Sequence, residues 1–295
     1  MPSISIVGIG RVGGALAIAL SRAGFAIDAL IHRDGATVDL IKPFLASTAK
    51  TGTVESIGDI ESDVVLITTA DPDIQPTSEA LADKISSRSI VLHTSGSLSS
   101  DVMAGLRTDE RQIGSLHPLV SISDPVKGAD KFGGVFFCIE GDPDAVRVAK
   151  EIAEALGGRT FSIAPEQKAL YHAAAVTAAG QVTALIDLAI TMLAETGVDR
   201  ATAKEVLLPL VESTISNLKT QTPAEALTGS FARADAGAIE RHLASFKGPL
   251  ANRIRSVYLL LGEHSIDLAE SNGADADAVR RTREVITVAK RKSGC

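Results

Sequence analysis

Three glycines, Gly8, Gly10 and Gly13, stand in the spacing GxGxxG between an apolar run, SISIVGI (3–9), and an apolar stretch of helical period, VGGALAIALSRAG (12–24). No other feature constrains the fold as strongly, because each glycine meets a separate demand: a tight turn, a backbone a ligand can approach, and a helix packed closely on a strand. The helix opening at Arg11 and Val12 brings free N–H donors and a partial positive charge, a natural seat for a pyrophosphate.

The alternation of strand and helix continues through the first half. FAIDALI (25–31), DVVLITT (63–69), SIVLHT (89–94), QIGSL (112–116) and VFFCIEG (135–141) read as strands, separated by helical patterns such as the one that stops at Gly24. Such βαβ units predict an α/β fold with a doubly wound, mostly parallel Rossmann sheet. After RTFSIAPEQ (159–167) the strand signals end. Helix starts are then marked by Asp199 after Gly197, by Thr222 with Pro223, by Asp235, and by Gly273 before DADAVRRTREV. A boundary at Ala164 and Pro165 is expected, giving a dinucleotide-binding domain over 1–164 and an all-helical substrate and dimerisation domain over 165–295. The terminal KRKSGC (290–295) reads as a frayed basic tail.

Composition narrows the function classes. The 295 residues are 45% hydrophobic but only 3% aromatic, without tryptophan, so the interior must be aliphatic. A net charge of −7 gives no general attraction to nucleic acid or anionic membrane. Cys138 lies in an apolar run and Cys295 is the last residue, so no disulfide framework is expected and a reducing, cytoplasmic setting is. The opening residues read as a strand, not as a leader. The apolar segment ALYHAAAVTAAGQVTALIDLAITMLA (169–194) is interrupted by His172, Gln181 and Asp187 and reads as a buried helix of a soluble protein. Scattered histidines without CxxC or HxxxH predict no metal site, and no GxSxG supports a serine hydrolase.

In an open α/β sheet the ligand crevice lies beyond the carboxyl ends of the strands. Thr69 and Ala70, Ser95 and Gly96, and His117 all fall at such ends. Past the second strand the chain reads His32, Arg33, Asp34. Arg33, assisted by His32, suits a 2′-phosphate and favours NADP; a strand running further would place Asp34 at the discriminating position and favour NAD.

The combination VGIGRVGGALA, HTSGS, GSLHPL, KALYHAAAV and ARADAGAIERHL resembles, over nearly the whole chain, Rossmann-like proteins whose C-terminal half is classed as domain of unknown function 2520. Ketopantoate reductase, pyrroline-5-carboxylate reductase, prephenate dehydrogenase and deazaflavin-dependent NADP oxidoreductases are its wider relatives. The resemblance implies a helical C-terminal domain of the 6-phosphogluconate dehydrogenase type and a nicotinamide cofactor, but no particular substrate. In prephenate dehydrogenases a similar His-Pro at the cofactor cleft contacts the reacting hydroxyl, which matches His117. Other relatives use a lysine and an asparagine four apart on the first long helix. This chain has Val176 and Gly180 in that segment, so that mechanism does not carry over.

Hydride transfer to a C=O or C=N carbon needs a proton donor, and imidazole, with an ordinary pKa near 6.5, suits the role. His117 is the first candidate, a backbone-bonded turn histidine being the alternative. On a regular helix opening at Glu166, Lys168, His172, Thr183 and Asp187 share a stripe of roughly 100°. Lys168 and His172, in its first turns, are candidates together with Ser95; Arg233, on a loop, is a candidate clamp for a substrate carboxylate or phosphate. The expected function is an NADP-dependent oxidoreductase acting on a small anionic hydroxy/oxo or amino/imino compound. The alternative is an NADP-binding sensor or partner-docking protein without turnover. A homodimer through the helical half is expected, because an alanine-rich helix from Glu166 to about Thr196 exceeds what a small domain buries.

Overall fold

The alternating pattern of the first half folds into a single eight-stranded sheet of order β3-β2-β1-β4-β5-β6-β7-β8. The strands are β1 (Ser3–Val7), β2 (Ala26–Ile31), β3 (Lys50–Gly52), β4 (Val64–Ile67), β5 (Ile90–His93), β6 (Ile113–Pro118), β7 (Phe136–Gly141) and β8 (Arg159–Ser162). All neighbours are parallel except β6 and β7, which run antiparallel with His117 opposite Cys138. The structure, a computed structural model, describes residues 2–46 and 48–293, excluding the side chains of Lys292 and Ser293.

Both faces of the sheet are covered, which is why β4 reads as an unbroken apolar run. On one face Ile4, Ile6, Leu66, Leu92 and Leu116 pack with Leu16 and Leu20 of α1 (Arg11–Arg22) and with Ala149 and Ile152 of α5 (Pro143–Ala155). The short helices α2 (Ala36–Ile41) and α4 (Pro125–Gly128) lie beside α1. On the other face Val7, Ile31, Val65, Ile67 and Val91 pack with Ile74 of α3 (Asp71–Ala80) and with Met103 and Leu106 of a 3-10 segment (Ser100–Leu106). The result is an α/β, doubly wound, mostly parallel Rossmann sheet followed by an all-helical part.

The chain divides into two compact units that meet in sequence at Gln181 and Val182. A 3-10 turn (Pro165–Gln167) and α6 (Lys168–Val176) belong to the first unit and lead into a π-helical turn, Thr177–Gln181. α7 (Val182–Ala194) opens the second. A π turn departs from the 3.6-residue period, so the uniform stripe expected to join Lys168 and His172 to Thr183 and Asp187 is not maintained.

The second unit continues with α8 (Arg200–Leu218), α9 (Pro223–Ala226), α10 (Gly229–Ala232), α11 (Ala236–Ser245), α12 (Ala251–Ser271) and α13 (Ala276–Ser293). Its core comprises Ala234, Leu259, Ile266, Val279 and Ile286. The expected caps form. Asp199 accepts from the backbone of Ala201 and Thr202, Thr222 and Glu225 make a reciprocal capping box, and Asp235 accepts from Ala238 N at 2.9 Å. α13 runs to Ser293, so the segment expected as a frayed tail is helical as far as it is described; Gly294 and Cys295 lie outside the described residues.

One expectation is overturned by burial. The helical segment Pro165–Ala194 was expected to be buried, yet no residue of its most apolar 18-residue window is buried. By length and composition alone, with a mean hydropathy of 1.6, it could cross a membrane. Polar breaks such as Gln181 lower the average of such a segment, but they say nothing about which side chains find a partner within one chain.

Candidate functional site at the carboxyl ends of the strands

The glycine loop is built as its spacing predicts. Gly8 takes φ +96°, which L side chains rarely adopt, and a Cβ there would lie 2.7 Å from Thr69 N. A Cβ on Gly13 would lie 2.3 Å from both Gly8 O and Thr68 Oγ1, whereas one on Gly10 would meet nothing within 4 Å. The loop is further held by Thr68, whose hydroxyl donates to Gly8 O at 2.6 Å. Gly10 caps α1, leaving the first-turn N–H groups of Arg11 and Val12 facing outward from the loop.

A cavity of about 480 Å³ opens against this loop, lined by Gly8, Gly10, His32, Arg33, Thr69 and Ala70 among others. Of the three buried polar side-chain atoms without a hydrogen-bond partner among the described residues, His32 Nδ1, Thr69 Oγ1 and His93 Nε2, the first two belong to residues lining this cavity. β2 ends at Ile31, so His32 and Arg33 come directly after it. Arg33 reaches Asp73 at 3.1 Å with its side chain 87% exposed. Asp34 turns back on its own loop and accepts from Ala36 N at 3.0 Å.

A second cluster sits at the ends of β5 and β6. His117 Nδ1 lies 2.6 Å from the Tyr171 hydroxyl, and its ring meets His172 edge-on at 5.9 Å. Both imidazoles close on Gly96, where a Cβ would stand 2.8 Å from His117 Nε2 and 2.6 Å from His172 Cδ2. A cavity of about 350 Å³ opens beside the pair, walled by apolar residues such as Leu119, Val120, Ala175 and Val176. His117 is therefore bonded to a side chain, not to the turn backbone. Burial, reinforced by the positive charge of Lys168 and by His172, holds its pKa down at about 4.

Lys168 does not face a cleft. It is 1% exposed, its ammonium donates to Ser95 O at 3.1 Å and to Ser115 Oγ at 2.5 Å, and the Glu140 carboxylate lies 3.8 Å away. Glu140 in turn accepts from Ser100 N and Oγ at 2.8 and 2.9 Å. Ser95 is likewise occupied in shaping its loop: its backbone N donates to His93 Nδ1 and its hydroxyl accepts from the backbone of Ser97 and Leu98. Arg233, in the second unit, caps α10. Among the described residues, no group of three or more His, Cys, Asp or Glu side chains could hold a metal ion.

Sequence reading missed Tyr171, Ser115 and Glu140. The chain has only two tyrosines, and one adjoins His172, a signal that could have been used. Ser115 and Glu140 gave none, because their partners lie far away in sequence.

No curated protein matches the chain in sequence. Among solved structures it is similar to a Bacteroides fragilis protein assigned as an NADP oxidoreductase (23% identity, 90% of this chain and 97% of that one, TM-score 0.75). It is also similar to protein TM1727 of Thermotoga maritima (23%, 91% and 99%, 0.72). A pyrroline-5-carboxylate reductase from Coxiella burnetii shares the fold at 15% identity (96% and 98%, 0.58). Residues 2–118 match the Rossmann-like domain family, and residues 135–265 match a family described as a domain of unknown function, DUF2520. The chain is a Rossmann-like protein that carries a DUF2520 domain.

Proposed function

We propose that the chain is an NADP-dependent oxidoreductase acting on a small hydroxy/oxo or amino/imino compound. The observation that carries this reading is the placement, along one edge of one sheet, of the glycine-loop cavity after β1 and the paired imidazoles of His117 and His172 around Gly96. The residues present fit a dinucleotide. The open face of Gly10 and the first turn of α1 suit the pyrophosphate, the orphaned His32 Nδ1 and Thr69 Oγ1 offer polar contacts, and Arg33 directly after β2 suits a 2′-phosphate. Asp34 lines the same cavity and accepts from the backbone of Ala36, and a preference for NAD on titration would favour it over Arg33. The names of the similar Bacteroides and Coxiella proteins agree with this chemistry.

A bound nicotinamide would supply the hydride acceptor or donor. The chain's part is to seat the reacting group against His117, with His172 beside it, in a cavity whose apolar wall excludes water. Turnover of reduced or oxidised NADP, followed by absorbance against a panel of small oxo, imino, hydroxy and amino acids, tests the proposal. Saturable NADP binding without any redox change across such a panel would point instead to a sensor or docking protein; absence of binding would remove both.

A further inference from the structure

The hydrogen bond between His117 and Tyr171 decides what the imidazole can do. The phenol is packed edge-on to Phe161 at 5.8 Å and edge-on to the His117 ring at 5.6 Å. Burial raises its pKa far above the ordinary value, so it keeps its proton. Its other polar neighbour is the Cys138 thiol, itself kept protonated by burial and paired opposite His117 in the β6–β7 register. Sulfur is a weak acceptor and an imidazole nitrogen a strong one, so the phenol O–H goes to Nδ1. A neutral imidazole whose Nδ1 accepts carries its hydrogen on Nε2. Nε2 borders the space that only a glycine at 96 leaves unfilled.

We propose that Tyr171 is a positioning residue that fixes the Nε2–H tautomer of His117, so that the ring offers a donor to the oxygen or nitrogen of an oxo or imino substrate. The oxidoreductase reading above supplies the identity of that substrate group; the tautomer stands independently of it. The groups facing the ring agree with a neutral imidazole. Lys168 and His172 of α6 oppose its protonation, Asp71 of α3 alone favours it, and His93 of β5, Cys138 of β7 and Tyr171 are uncharged at neutral pH. A ring in this state presents no lone pair at Nε2, so it is not built to take a proton from a hydroxy or amino substrate. It gives a hydrogen bond to the charge that develops on that oxygen or nitrogen, and by microscopic reversibility this contact serves hydride transfer in either direction.

The test is nitrogen NMR of the full chain labelled with 15N in its histidine rings, with the His117 signals identified by their loss in His117→Gln. The expected native spectrum has a pyridine-type Nδ1 and a pyrrole-type Nε2, unchanged through neutral pH. In Tyr171→Phe the exclusive tautomer should be lost and the two signals should move toward each other. A native ring protonated at Nδ1, or cationic near neutrality, overturns the proposal, and needs no variant to fold. So does a Tyr171→Phe spectrum identical to the native one. NADP-induced thermal stabilisation, recorded on the same samples, reports on the oxidoreductase reading separately. Its absence from the native protein would count against that reading while the tautomer remains decided by the spectrum.

Discussion

A methyl group built on Gly13 would lie 2.3 Å from the carbonyl oxygen of Gly8. The two glycines are therefore in backbone contact at the point where α1 leaves β1, and the obstacle is backbone, which cannot swing aside. Gly13→Ala is expected to cost about 1 to 3 kcal/mol, the usual range for overpacking. It should also abolish the rise in melting temperature on adding NADP, because the loop must open to relieve the clash. Gly10→Ala meets no protein atom. It should leave the melting temperature of the free protein nearly unchanged while still weakening NADP, since the added methyl occupies the face assigned to the pyrophosphate. Calorimetric melts of both variants with and without NADP check this pair.

Lys168 and Glu140 form a buried ion pair whose members are 1% and 5% exposed. Removing one partner leaves the other charge without compensation, which typically costs about 3 to 5 kcal/mol. Lys168→Met is thus expected to lower stability to urea by that order. Lys168→Met combined with Glu140→Gln should recover part of it, because no buried charge is then left alone. A double variant no more stable than the single one would show that the two charges are not energetically coupled.

Burial of histidines couples stability to acid. His93 and His117 both have pKa values held down at about 4, chiefly by burial and next by Lys168. In the unfolded chain an imidazole titrates near 6.5. Between those limits the unfolded state binds more protons, so the stability contributed by keeping these rings neutral is complete above pH about 6.5 and is lost as the pH falls toward about 4. A difference of roughly 2.5 in pKa corresponds to about 3 kcal/mol for either ring. Urea denaturation at several pH values should show this loss, and His117→Gln should flatten part of it; a native profile with no decline over that interval contradicts the burial of both rings.

Much of this arrangement was legible in the sequence because it is local. The GxGxxG loop, the strands β1, β2, β4, β5, β6 and β7 and the caps at Asp199, Thr222 and Asp235 are each specified within a few residues of one another. β3 escaped notice because its three residues, KTG, carry no apolar alternation. The π turn at Thr177–Gln181 was hidden for a different reason. TAAGQ carries alanine and glycine that suit many helical geometries, so nothing in it marks the change of period. The site itself mixed both cases. His117 could be placed at a strand end by pattern, while what shifts its titration, burial first and then the positive charge of Lys168, depends on residues far apart in the chain. For Lys168 the reading from helical phase put the side chain at the cleft, whereas it is enclosed by Glu140 and Ser115, partners that helical phase cannot reveal.

Arg33 is solvent-facing and paired with Asp73, 3.1 Å away. An exposed pair of this kind is worth little to folding, so its loss should register in ligand affinity and not in stability. A hydrogen bond to a charged group contributes about 1.5 to 3 kcal/mol, or roughly ten- to a hundredfold in affinity. Arg33→Ala is expected to weaken NADP by that factor, leave NAD almost unchanged, and leave the melting temperature within about a degree. Calorimetric titration with both dinucleotides decides it. A native protein that prefers NAD would remove the assignment of Arg33.

The helical unit leaves large apolar side chains without cover. On α8, Val206 and Leu210 are 58% and 63% exposed and one turn apart, and Ile215 and Leu218 continue the exposed set. The window between Pro165 and Ala194 leaves further apolar side chains unburied, and exposed apolar surface of this kind usually marks an interface. We propose a second copy of the chain as the cover, because the alanine-rich helix α6 admits another helix closely and a symmetric pair buries the same stripe on both partners. Light scattering at micromolar concentration should give twice the chain mass. Leu210→Lys, a change at an exposed position that leaves the core of the unit untouched, should shift the mass toward the monomer and lower the melting temperature in a concentration-dependent way. A native monomer at that concentration would rule the pair out. A chain that sediments with lipid vesicles instead would assign the apolar surface to a membrane.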